Sequence, residues 1–155
     1  MGFDAQAFTG ASLKPRTEEV EVQPLAQWFG EGEKPVWVVR GLTGAELGRA
    51  HEAENRAKAV GAAVEAVASG NVQADSIKEL LGLSGDVPAD VARRLSMLAQ
   101  GSVEPAVDHE LAVKLSEAHP TIFYHLTNRI LSLTGAGAEP GKRKGSTPKP
   151  KSEEP

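Results

Sequence analysis

The stretch Phe123-Tyr-His-Leu-Thr-Asn-Arg-Ile-Leu-Ser-Leu133 decides the fold. Together with Ile122, its Phe123, Leu126, Ile130 and Leu133 recur every three or four residues, which puts them on one face of an α-helix. Pro120 suits the first turn, where its missing N–H forfeits no hydrogen bond, and Gly135 supplies a C-terminal stop. The same period runs upstream through Asp90-Val-Ala-Arg-Arg-Leu95 and Glu110-Leu-Ala-Val-Lys-Leu115. From Pro88 to Gly101 the inward residues are Val91, Leu95 and Leu98, with Arg93 and Arg94 outside. Asp108 can cap the next helix, which carries Leu111, Leu115 and Ala118.

A longer helix precedes these. Thr43-Gly-Ala-Glu46 has the spacing of a capping box, and Leu42 and Leu47 flank it as a hydrophobic staple would. The helix is expected to run to Ala68, with Gly70-Asn71 as its stop. Its inner stripe, Leu47, Ala50, Ala53, Ala57, Val60, Val64 and Val67, is made of small side chains. Such a face permits close approach but buries little area per residue. Gly48 and Gly61 weaken the helix by about 1 kcal/mol each relative to Ala. A shorter helix is expected from Asp75 to Leu83, broken by Ser84-Gly85-Asp86.

Strand patterning is confined to the N-terminal side. Glu19-Val20-Glu21-Val22 alternates polar and apolar, and Pro35-Val-Trp-Val-Val-Arg40 is β-branched and aromatic. Gly30-Glu-Gly32 turns between them. An isolated hairpin is marginal in water, so Trp28, Phe29 and Trp37 are expected to lay it on the helices. The fold class is therefore mainly α: a small helical domain with a short N-terminal β-hairpin and a disordered C-terminal tail. The expected boundaries are a flexible N-terminus (1–17), the hairpin region (18–42), the helical body (43–135) and a Lys/Pro/Gly-rich tail (136–155). From Glu139 onward no large apolar residue is present, so burial cannot offset the entropy of ordering that segment. No internal repeat is found.

At 155 residues one domain is expected, and roughly 120 residues outside the termini suffice for a core. Net charge is −4, and its distribution matters more than its sum. Residues 43–134 carry eight bases and twelve acids, whereas 135–155 carry five and three. Only the tail is positive, so the body is not built to attract nucleic acid or an anionic membrane. There is no cysteine, hence no disulfide and no thiolate chemistry. Met1-Gly2-Phe3-Asp4-Ala5 lacks the pattern of a signal peptide, and no apolar run approaches the roughly 20 residues of a membrane span. A cytoplasmic protein is the expectation.

Candidate chemistry is sparse. His51-Glu52 and His109-Glu110 begin like a zinc-binding helix motif, but neither has a second His four residues after the first. His119 and His125 have no clear carboxylate partner in the sequence, so no metal or cofactor is expected. Glu52 with Arg56 and Glu54 with Lys58 stand in the favourable order for ion pairs on a solvated helix face. Gly30-Glu-Gly32 and Gly135-Ala-Gly137 read as turns, since neither is placed or followed as a phosphate loop requires. Lys142-Arg143-Lys144, Lys149 and Lys151 form a basic cluster without interleaved aromatics and diluted by three glutamates. These residues point to no enzyme. Trp28, Phe29, Phe123 and Tyr124 are the candidate partner-contact residues, because aromatics anchor many interfaces. For Phe123 the competing expectation is burial in the core.

Several segments carry a family resemblance. They are Trp37-Val-Val-Arg-Gly-Leu-Thr-Gly-Ala-Glu-Leu47, Leu95-Ser-Met-Leu-Ala-Gln-Gly-Ser-Val-Glu-Pro105, Ala112-Val-Lys-Leu-Ser-Glu-Ala-His-Pro120, and Phe123 to Gly135 with the tail after it. Together, over about residues 18–145, they resemble the tail assembly chaperones of long-tailed bacteriophages and prophages. The resemblance implies a non-enzymatic protein of the host cytoplasm, absent from the mature virion. It would bind the long helical tape-measure protein, with self-association among its expected properties. It also implies a longer form, made by a −1 ribosomal frameshift, that recruits the tail-tube protein; Gly141-Lys142 can be encoded by a slippery GGG-AAA. The alternative is a small helical nucleic-acid-binding or regulatory protein, with the helices 88–101 and 108–118 as a helix-turn-helix. The acidic body and the lack of a basic recognition face stand against it.

Overall fold

Thr43 starts the longest helix as its sequence predicts. In the computed structural model, which describes residues 2–70 and 87–140, its hydroxyl accepts from the Glu46 N–H at 3.3 Å while Glu46 reaches back to the Thr43 N–H at 3.0 Å. Leu42 is buried and Leu47 packs against the core on either side of this cap. The helix then runs from Gly44 to Ala68.

Along the chain the described elements are α1 (Ala5–Gly10), β1 (Leu13–Lys14), β2 (Thr17–Glu21), a 3-10 helix (Gln23–Trp28), β3 (Val36–Arg40) and α2 (Gly44–Ala68). After them come α3 (Ala89–Gly101), β4 (Ser102–Glu104), α4 (His109–Ala118), α5 (Pro120–Ala136) and β5 (Glu139–Pro140). The protein is mainly helical, with a short β-hairpin near its N-terminus. The hairpin β2–β3 is antiparallel, with Val20 opposite Trp37 and Glu18 opposite Val39. Sequence patterning does not reveal that β4 extends it on the far side of β3. Trp37 Nε1 donates to Ser102 Oγ at 3.0 Å and so ties β3 to the end of α3.

One core joins the sheet to the helices. Val20, Val22, Leu25, Trp37 and Val39 meet Leu95, Met97 and Leu98 of α3, Leu115 of α4, and Phe123, Leu126 and Ile130 of α5. The inward spacing expected of α3, α4 and α5 holds for Leu95, Leu98, Leu115, Phe123, Leu126 and Ile130. Leu111 departs from it and is exposed. Along α2 the expected stripe holds at Ala50, Ala57 and Val60, whereas Val64, nearer its end, is exposed. Gly101 matters to this packing, because a Cβ there would lie 2.8 Å from Ile130 Cδ1. The close approach of α3 to α5 depends on that missing side chain.

Three expectations need correction. Residues 5–10, expected to be flexible, form α1: Asp4 caps it by accepting from the Ala7 N–H at 2.9 Å, and Phe3 meets Phe8 with ring centroids 5.3 Å apart. That is a capped helix with a hydrophobic staple, since Phe3 precedes the cap and Phe8 is the fourth helical residue. Second, the tail assigned to 136–155 begins within structure. Ala136 ends α5, and Glu139 and Pro140 pair with Lys14 and Leu13, reinforced by an Arg16–Glu139 ion pair at 3.1 Å. Third, Arg94 is not an outward charge. It donates to Asp90 at 3.0 Å, Thr127 at 2.7 Å and Asn128 at 2.8 Å, and its guanidinium lies 4.6 Å from the centre of the Tyr124 ring. This locks α3 to α5. Thr127, the one buried polar residue of the core among those described, is satisfied by that bond and by donating to the Phe123 carbonyl at 3.0 Å. The helix expected at 75–83 with its break at 84–86, Asn71 of the α2 stop, and most of the expected tail lie outside the described residues.

Candidate functional site

The four candidate contact residues do not form one surface. Phe123 is 1% exposed and belongs to the core, because helix period brings it to the same face as Leu126 and Ile130. It is withdrawn as an exposed anchor. Phe29 is half-buried and packs against the core from the end of the 3-10 helix. Trp28, its neighbour, points the other way and is 75% exposed, so it does not hold the hairpin on the helices as expected. Tyr124 is half-exposed, with one edge against the Phe123 ring at 5.6 Å and its face under Arg94. Of the four, Trp28 and Tyr124 are therefore the ones a partner can reach.

Sequence reading missed a cleft between α2 and α3. These two helices form the most extensive helix pair of the fold. It is lined by Ala53 and Ala57 of α2, by Ala92, Leu95, Ser96 and Ala99 of α3 and by Val87, with an open volume of about 610 Å³. Arg49, Glu52, Arg56 and His109 rim it. Gln100 closes one end by donating to the Glu46 carbonyl at 3.1 Å and accepting from Arg49 at 3.4 Å. The alanines of the predicted α2 stripe were its sequence signal; what they faced was not legible. The lining is thus largely apolar, between charged edges.

Several charged residues elsewhere are engaged in structural pairs. Arg40 grips Glu46 through both guanidinium nitrogens at 2.8 and 2.6 Å. With the Thr43 cap bonds, it draws the Glu46 carboxyl down from 4.5 to about 2. Arg129 of α5 holds Glu18 of β2 in the same forked manner at 2.6 and 2.9 Å. Glu54 takes Lys58 at 3.4 Å and stands 3.5 Å from His51 Nδ1, whereas Glu52 and Arg56, expected as a pair, stand on the cleft rim. Arg93 and Arg94 both bond Asp90, at 2.8 and 3.0 Å. Among the described residues no three His, Asp or Glu side chains stand together as a metal site, and no helix is long and apolar enough to cross a membrane.

No protein-family description, curated protein or solved structure matches this chain.

Proposed function

We propose that this protein is a tail assembly chaperone of a long-tailed phage or prophage. In this reading it acts in the host cytoplasm, binds helical segments of the tape-measure protein and is left out of the mature virion. The reading starts from the family resemblance of the sequence, and the observation that carries it furthest is the α2–α3 cleft. Four alanines, Val87 and Leu95 give it an apolar lining, and charged residues stand along its edges. An amphipathic helix would lay its apolar stripe on the alanines and meet Arg49, Glu52 and Arg56 at its polar borders. Exposed Trp28 and half-exposed Tyr124 offer further anchors. Binding is by equilibrium coating of apolar surface with many copies, without catalysis and without a nucleotide cycle.

The longer product recruits the tail-tube protein in this proposal. A frame change at Gly141-Lys142 falls after the last described element, β5, and leaves α1 to α5 unaltered. A module joined there through a linker can act while the helices hold tape measure.

Co-expression with the tape-measure protein tests the reading. Its soluble fraction is expected to rise with the amount of chaperone supplied, without ATP, and Ala53→Trp, at a half-buried position lining the cleft, should remove the effect, with denaturant melts checking that the variant stays folded. An ATP requirement, or no gain in solubility, would overturn it.

A further inference from the structure

We infer that the outer edge of β2 accepts the basic segment Lys142–Thr147 of a second copy as an added strand, so that two chains pair by exchanging their C-terminal segments. The inference is independent of which partner the cleft holds.

The backbone of β2 leaves one side unmatched. Val22 donates to the Pro35 carbonyl and Arg16 accepts from the Gly41 N–H, each at a position in register with the β2–β3 pairing. In an antiparallel pair, bonded positions alternate. Residues 16, 18, 20 and 22 therefore face β3, and the N–H and C=O of Thr17, Glu19 and Glu21 face outward. β2 is the edge of its sheet, and no described residue bonds to those three amides. Alongside that edge runs a shallow groove of about 480 Å³, walled by Glu18, Glu19 and Glu21 on the strand and by His125 and Arg129 of α5.

Charge selects what can add there. A second β2 edge would set glutamate against glutamate, which disfavours pairing of like edges. A basic strand would meet opposite charge. The chain carries one such segment: Gly141-Lys-Arg-Lys-Gly-Ser-Thr147 has three cations and no proline across seven residues, enough to span the five of β2. It also directly follows Glu139–Pro140, which already pairs as a strand with β1. That pairing argues for exchange between copies. Leu13 lies opposite Pro140 and Lys14 opposite Glu139, so at Pro140 the chain is heading toward α1 and away from β2. Reaching its own β2 would take an immediate reversal; reaching a neighbour's would not. Reciprocal exchange gives a closed two-fold dimer.

Sedimentation equilibrium of the full chain, at low salt and at about 0.5 M salt where exposed charges are screened, is the test. A dimer that weakens with salt is expected. Glu19→Lys with Glu21→Lys, or Lys142→Glu with Arg143→Glu and Lys144→Glu, should each weaken it at least about tenfold. Combining both sets should restore it. Hydrogen exchange on the unmodified protein gives a second reading that no substitution can confound, since the Glu19 and Glu21 amides should gain protection as concentration rises. A monomer at every concentration, a dimer indifferent to both reversals, or a combined variant that fails to pair would each overturn the inference.

Discussion

Arg40 and Glu46 form a two-pronged ion pair, at 2.8 and 2.6 Å, across the start of α2. Arg40 is the last residue of β3 and Glu46 the third of α2, so one side chain closes the capping box and fixes the strand-to-helix turn. Glu46→Gln keeps the shape but loses the charge, and is expected to cost about 2 kcal/mol in chemical denaturation.

The same pair sets a pH dependence. The Glu46 carboxyl is lowered from 4.5 to about 2 in the fold, so its folded form holds protons more weakly than the unfolded chain. Its contribution is complete above pH 4.5 and is lost as pH falls from there through about 2. Denaturation midpoints measured across that range should fall more steeply for the unmodified protein than for Glu46→Gln. Equal slopes would show that other carboxylates dominate.

Adjacent aromatics on α5 should behave differently. Phe123→Ala removes a fully buried ring and is expected to cost about 3–5 kcal/mol. Tyr124→Ala loses an edge contact and the Arg94 stacking, for about 1 kcal/mol. Thermal and denaturant melts of the two variants distinguish them directly.

Trp28 is the cleanest probe of partner binding. With three-quarters of its surface in solvent, Trp28→Ala should change stability by less than about 0.5 kcal/mol. Under the proposed chaperone function, solubilisation of the tape-measure protein should nevertheless drop. A large loss of stability would mean that Trp28 holds the hairpin after all.

Two glycines give opposite expectations for one substitution. Gly101→Ala drives a methyl into Ile130 and should cost about 1–3 kcal/mol. Gly61→Ala, in the middle of α2 with nothing within 4 Å of its Cβ position, should stabilise by up to about 1 kcal/mol. Melting temperatures of the single variants read out both.

The sequence by itself determined the elements whose signals are local. Helix period and caps placed α2 to α5, because Thr43, Asp108 and Pro120 act on neighbours one turn away. Alternation placed β2 and β3 for the same reason. The α1 signal, Phe3-Asp4 with Phe8, was also local, but six residues are too few for a period to show. Tertiary structure decided whatever depends on residues far apart in the chain. It joined β4 to β3 and β1 to β5, turned Arg94 from a surface charge into the lock between α3 and α5, and left Trp28 exposed. It also opened the α2–α3 cleft, whose alanines mark a close-packing face in sequence but do not say how much of that face another helix covers. Long-range contacts of this kind follow from how whole faces fit together, and no short window of sequence contains both sides of the fit.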